Sequence, residues 1–190
     1  MTESRAWPLI AHSVGLETTP ALAVSASVRT HDSEMICQYR VTGARTDLTV
    51  PEFAEQCRLD GLWRHTCFEV FIGLKDSPEY VEFNASPSSA WALYHFVAER
   101  VRAPDWSLSA PSIQSAWDRD DLIVVACLDL RAWPSRWRSQ SLCMGLSAVL
   151  EHKNGALTYH ALTHPKNVPD FHDPRTRIIE MNPMLEGDLP

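Results

Sequence analysis

The strongest constraint on this chain is a pair of alternating runs about a turn. Cys67–Phe68–Glu69–Val70–Phe71–Ile72 and Tyr80–Val81–Glu82–Phe83–Asn84–Ala85 flank Gly73–Leu74–Lys75–Asp76–Ser77–Pro78. Two such runs around a turn pair as an antiparallel hairpin. Successive side chains point to opposite faces of a strand. Phe68, Val70 and Ile72 therefore share one face, as do Val81, Phe83 and Ala85, giving an apolar surface. The other parity carries Glu69 and Phe71 on one run, and Tyr80, Glu82 and Asn84 on its partner. Carboxylates are rarely buried without a partner, so this polar face is where function is expected.

The same pattern recurs along the chain. Strand-like segments are Ala21–Val28, Glu34–Val41, Trp91–Val97, Ser112–Trp117, Leu122–Leu130, Leu142–Leu150, Leu157–Leu162 and Thr176–Glu180. Turns punctuate them at Asp118–Arg119–Asp120 and Lys153–Asn154–Gly155. About ten short strands at this spacing predict a sandwich or barrel. Helical signals are few, and the best is Val50–Cys57, where Pro51 suits a first helical position. No repeat or linker divides the sequence, so residues 1–190 are expected to form a single domain with frayed ends, including the acidic tail Glu186–Pro190.

Charge and cysteine usage narrow the function classes. A formal charge of −7 without a basic run argues against nucleic acid and against an anionic membrane surface. No segment approaches the roughly 18 apolar residues of a membrane span, and Met1–Pro8 lacks the pattern of a secretory signal. The five cysteines are odd in number and without a Cys-x-x-Cys pair, and four fall in strand-like runs. Reduced, buried thiols and a cytoplasmic location are expected. The spacing of His164 and His172 matches no closed zinc site.

Glu69 and Glu82 supply planar acceptors and Asn84 both donates and accepts, which suits the hydroxyls of a sugar. Trp63, Tyr80, Trp91 and Tyr94 are candidates for an apolar wall, although Trp91 and Tyr94 have opposite parity. Arg64 and His65 enter the first run, and His164 and His172 bracket a proline-rich loop that places Phe171 and His172 at a site edge. The alternative for the acids is a structural network neutralised by Arg40, Arg64 or another cation. The segment Arg131–Arg138, with Trp133 and Trp137, is either a stacking platform or a plug for the sandwich end.

Several of these segments, in this order, also carry a family likeness. Trp63–Phe71, Tyr80–Pro87 with Trp91 and Tyr94, Leu146–Glu151, His160–Pro165 and Pro169–His172 resemble bacterial DOMON-like proteins, over about Ala21 to Glu180. That superfamily includes family-9 carbohydrate-binding modules and domains that carry haem b. The resemblance implies an all-β, jelly-roll-like antiparallel sandwich of about ten strands with at most one or two short helices. It also implies a non-catalytic site for a small molecule, sugar first. Haem b is the alternative, for which Met144, Met181 or a second histidine would partner a histidine such as His65, His95, His164 or His172. An enzyme acting on a sugar derivative, with Glu69 and Glu82 as its acids, is the second alternative. No motif for a protein partner is present.

Overall fold

Alternation builds the molecule. The computed structural model describes residues 5–19, 22–31, 33–106 and 108–182, so the anticipated acidic tail and the start of the Ala21 segment lie outside the described residues. Twelve strands are present among them. They are β1 (Ala6–Ala11), β2 (Ala23–His31), β3 (Glu34–Thr42), β4 (Cys67–Leu74), β5 (Tyr80–Ala85) and β6 (Trp91–Ala98). They continue with β7 (Val101–Arg102), β8 (Ser112–Asp118), β9 (Asp121–Asp129), β10 (Leu142–Glu151), β11 (Leu157–Ala161) and β12 (Ile179–Met181). One short helix, α1 (Ser135–Ser139), and two 3₁₀ turns complete the elements.

The strands hydrogen-bond antiparallel in the order β7-β6-β5-β4-β10-β11-β1-β2-β3-β9-β8, with β12 also on β10. The row folds over at β1. Its first residues, Ala6–Leu9, pair with β2, while Ile10 and Ala11 pair with β11. Pro8 fits because β1 is bonded only to β2 at that point, the one-sided setting that tolerates a missing N–H. That proline is also why the sequence did not read as a strand there.

Two layers result, with the core between them. Phe68, Val70 and Ile72 of β4, Val81 and Phe83 of β5, and Met144, Leu146 and Ala148 of β10 meet Tyr39 and Val41 of β3 and Leu122 and Val124 of β9. The hairpin register is Glu69 opposite Asn84 and Phe71 opposite Glu82. The apolar parity of β4 and β5 thus faces the core, and the polar parity faces outward.

Two expectations change, and one choice between readings is resolved. Val50–Cys57 is not helical. Its backbone is taken up across the chain, with Ala54 N–H donating to Ser88 O, Trp91 N–H to Cys57 O and Leu59 N–H to Trp91 O. Most of its side chains are exposed, so no apolar face drives a helix. The Thr176–Glu180 segment splits into a 3₁₀ turn, Pro174–Thr176, and β12, because Asp173 caps the turn by accepting from Arg175 N–H at 2.9 Å. Of the two roles open to Arg131–Arg138, the structure shows the plug. Trp133 and Trp137 are buried, and Trp106 packs edge-on to both.

Candidate functional site

The outer face of β4, β5 and β6 carries a second apolar cluster, including Phe71, Tyr80, Tyr94, Phe96 and Phe171. Within it lies a cavity of about 590 Å³, inside the roughly 300–1,000 Å³ range of small-molecule sites. Glu69 and Glu82 form its polar floor, Trp63, Tyr94, Phe96 and Tyr159 its aromatic walls, and Arg64, Arg100 and Arg102 its cationic rim. Pro169–Asp170–Phe171–His172 closes one side.

Two glycines let that closing segment lie down on the sheet. A Cβ on Gly73 would come within 3.0 Å of the Arg177 guanidinium, and one on Gly145 within 3.0 Å of Thr176 O. Thr176 Oγ1 in turn donates within the loop, toward Phe171 O at 3.0 Å and Asp173 O at 2.7 Å. The stem of the loop is therefore seated where the strands carry no side chain. Lys166 and Arg100 both bind Asp170, at 2.7 and 2.8 Å, and hold its far end.

The acids are buried: Glu69 is 2% exposed and Glu82 5%. Ser147 Oγ donates to Glu69 at 3.3 Å, and Asn84 Nδ2 donates to Glu82 at 2.7 Å. Burial, and then the charge of Glu82, pushes Glu69 well above the usual carboxylate range. Burial raises Glu82 to about 7, against the opposing effects of the Asn84 hydrogen bond and the Arg100 and Arg102 charges. Desolvation disfavours the charged form, and a like charge nearby adds to it.

A chain of hydrogen bonds orients the loop histidine. Arg100 sits in the left-handed region (φ 58°), and its N–H donates to the Tyr80 hydroxyl at 3.0 Å. The phenol's hydrogen then goes to His172 Nδ1, 2.8 Å away. A neutral imidazole accepting at Nδ1 keeps its proton on Nε2, which faces Glu82 Oε2 at 3.6 Å. Burial, followed by the Arg100 charge, lowers His172 to about 4, so the ring is neutral at pH 7.

Of the residues anticipated from sequence, Trp63, Arg64, Glu69, Glu82, Tyr94 and His172 line the cavity. Tyr80 and Asn84 stand behind it, bonding His172 and Glu82. Trp91 does not join the wall: its parity turns it to the core side, where it packs against the main cluster. His65 lies off the cavity, bonded to Glu151 at 2.8 Å, and His164 bonds Ile10 O at 2.7 Å. Arg40 is not the neutralising cation, since it pairs with Asp118 and Asp121 on β8 and β9. Arg100, Arg102, Asp170, Phe96 and Tyr159 were not anticipated. Only Phe96 carried a signal, its shared parity with Tyr94.

Three solved structures share this architecture. A protein from Bacteroides uniformis provisionally described as carbohydrate-binding aligns with a TM-score of 0.65 at 13% identity, over 92% of this chain and 84% of its own. A family-9 carbohydrate-binding module from Caldicellulosiruptor kristjanssonii, solved with cellotriose, aligns at 0.61 and 8% identity, over 95% and 83%. The glucose complex of such a module from that organism gives 0.62 and 9%, over 94% and 83%. No protein-family model matches the chain, and no curated protein sequence does. The likeness is one of fold.

Among the described residues, no group of three or more His, Cys, Asp or Glu is gathered for a metal ion. Met144 is 1% exposed in the core, and Met181 packs against that same cluster, whereas His172 lines the outer cavity. A His–Met axial pair is not assembled at this site.

Proposed function

We propose that the chain is a DOMON-like relative of the family-9 modules and binds a small carbohydrate in the outer cavity. One observation carries this reading: a single cavity joins a buried polar floor to aromatic walls. Hydroxyls need groups that donate and accept, and the floor offers both. Glu82 accepts, His172 Nε2–H donates, and Glu69 in its protonated form does either. A pyranose also has an apolar C–H face, and the Trp63 and Tyr94 rings, 5.8 Å apart and edge-to-face, offer a surface for it. The complexes of the fold neighbours with glucose and cellotriose support the same class of ligand.

Nuclear magnetic resonance titration of the whole chain with glucose and cellotriose tests this. Chemical shift changes confined to Trp63, Tyr94 and the Pro169–His172 loop are expected, and weaker binding on Trp63→Ala. Binding that Trp63→Ala leaves intact moves the ligand elsewhere.

A further inference from the structure

Binding alone does not account for the floor of the cavity. Asn, Gln or Ser there would offer a sugar the same hydrogen bonds without burying two acids, which is costly unless the charges are compensated. Perturbed carboxyls gathered in a cleft are a mark of acid–base chemistry. Glu69 and Glu82 are diagonal neighbours on adjacent strands, a placement of roughly 7–8 Å with the β-carbons somewhat closer. Their surroundings are unequal. Glu82 has the Arg100 and Arg102 charges and the Asn84 amide favouring its ionised form, with the neutral His172 ring facing it at 3.6 Å. Glu69 has the Ser147 hydroxyl and, opposing ionisation, the charge of Glu82. Where two carboxyls share one charge, the better-supported one holds it. Glu82 is thus the base and Glu69 the acid.

We propose that the cavity catalyses proton transfer at the anomeric centre of a reducing sugar, opening and reclosing its pyranose ring and so interconverting its anomers. The proposal rests on the reading that the cavity binds sugar. The Glu82 carboxylate takes the proton of the anomeric hydroxyl. The C1–O5 bond breaks as the C1 carbonyl forms, and its electron pair goes to O5, which takes the proton of Glu69. The open-chain aldehyde turns about C1–C2 and the steps reverse, with O5 attacking the other carbonyl face. Glu69 recovers its proton from the O5 hydroxyl, and Glu82 returns its proton to the former carbonyl oxygen. No atom or electron is gained or lost, so no co-reactant is needed. Tyr80 and His172 are positioning residues, holding a neutral donor against Glu82.

The test uses freshly dissolved α-D-glucose, α-D-galactose and α-D-xylose. Polarimetry follows each against a buffer blank with catalytic amounts of the full chain, and saturation-transfer resonance measures binding of each in parallel. The expected result is faster anomerisation of a bound sugar, in proportion to protein, with a rate that rises as pH passes through about 7. Glu69→Gln and Glu82→Gln should each lose about 10²-fold or more of that acceleration while still binding. A sugar that binds without any acceleration overturns the proposal and leaves the binding reading standing. No binding of the three overturns the proposal, and no binding of cellotriose either overturns the binding reading as well. Acceleration that survives both substitutions, or a wild-type rate flat from pH 5.5 to 8.5, also overturns it, and the pH profile needs no variant to fold.

Discussion

Glu82 and His172 show how much of this site is decided by what stands behind the lining. The carboxyl is raised by burial but restrained by the Arg100 and Arg102 charges. Arg100→Gln should therefore move the Glu82 midpoint above its value of about 7, read by carbon-detected resonance of the side-chain carboxyl. An unchanged or lower midpoint would contradict that assignment of causes. Tyr80→Phe removes the hydrogen given to His172 Nδ1 and leaves the Arg100 N–H without its acceptor. A buried hydrogen bond left half-made costs roughly 1–3 kcal/mol. The nitrogen spectrum of His172 should then lose its single Nε2–H tautomer, and a variant that keeps it would show that something other than the phenol fixes the ring. Parity along the two central runs made Glu69, Glu82 and Asn84 legible in the sequence as one face. Arg100 was not legible, because its role depends on a left-handed residue in the β6–β7 turn meeting Tyr80 on β5.

Among the elements, strands with clean alternation were readable to within a few residues, since one face of each is apolar and packs into the core between the layers. β5 begins and ends where its pattern does, at Tyr80 and Ala85. Elements whose backbone partners lie far along the chain were not. The Val50–Cys57 segment has a proline that suits a helix, yet its donors and acceptors go to the Ser88–Trp91 stretch. The closing loop depends equally on distant sequence, because Gly145 and Gly73 make room for it. Gly145→Ala would press a methyl against Thr176 O, where the contact is with backbone that cannot swing away. Overpacking of this kind costs about 1–3 kcal/mol. Its effect should extend beyond stability, since Thr176 ties the turn to Phe171. Sugar affinity should fall as well, measured by titration at a temperature where the variant is folded. Trp137→Ala serves as the contrast. It empties a fully buried site at the sandwich end and should cost about 3–5 kcal/mol. Trp137 belongs to the core between the layers, and the cavity lies on the outer face, so the folded fraction should keep its affinity.

Across the whole molecule, the buried titratable groups pull stability in opposite directions over the same pH range. Glu82 rises from an ordinary 4.5 to about 7 on folding, and burial raises Glu69 as well. The folded state thus holds their protons more tightly, and the stability they contribute is complete below about 4.5 and lost as pH climbs through the folded values. His160 and His172 behave inversely. Burial lowers each from 6.5 to about 4, so their contribution is complete above about 6.5 and lost as pH falls toward 4. Between those limits the two slopes oppose each other, and the wild type should show a broad, shallow maximum. Removing the acids exposes the other slope. The Glu69→Gln, Glu82→Gln double variant no longer pays to bury charge at high pH, and should gain on the wild type as pH rises from 5 to 8. The Glu82 share of that gain is on the order of 3 kcal/mol. In the double variant, stability should climb steadily from pH 4 to 6.5 as the histidines lose their protons. Urea unfolding at half-unit pH steps reads both curves. If the two curves run parallel, the carboxyls are as easily ionised in the folded chain as in the unfolded one, and the cavity floor is solvated.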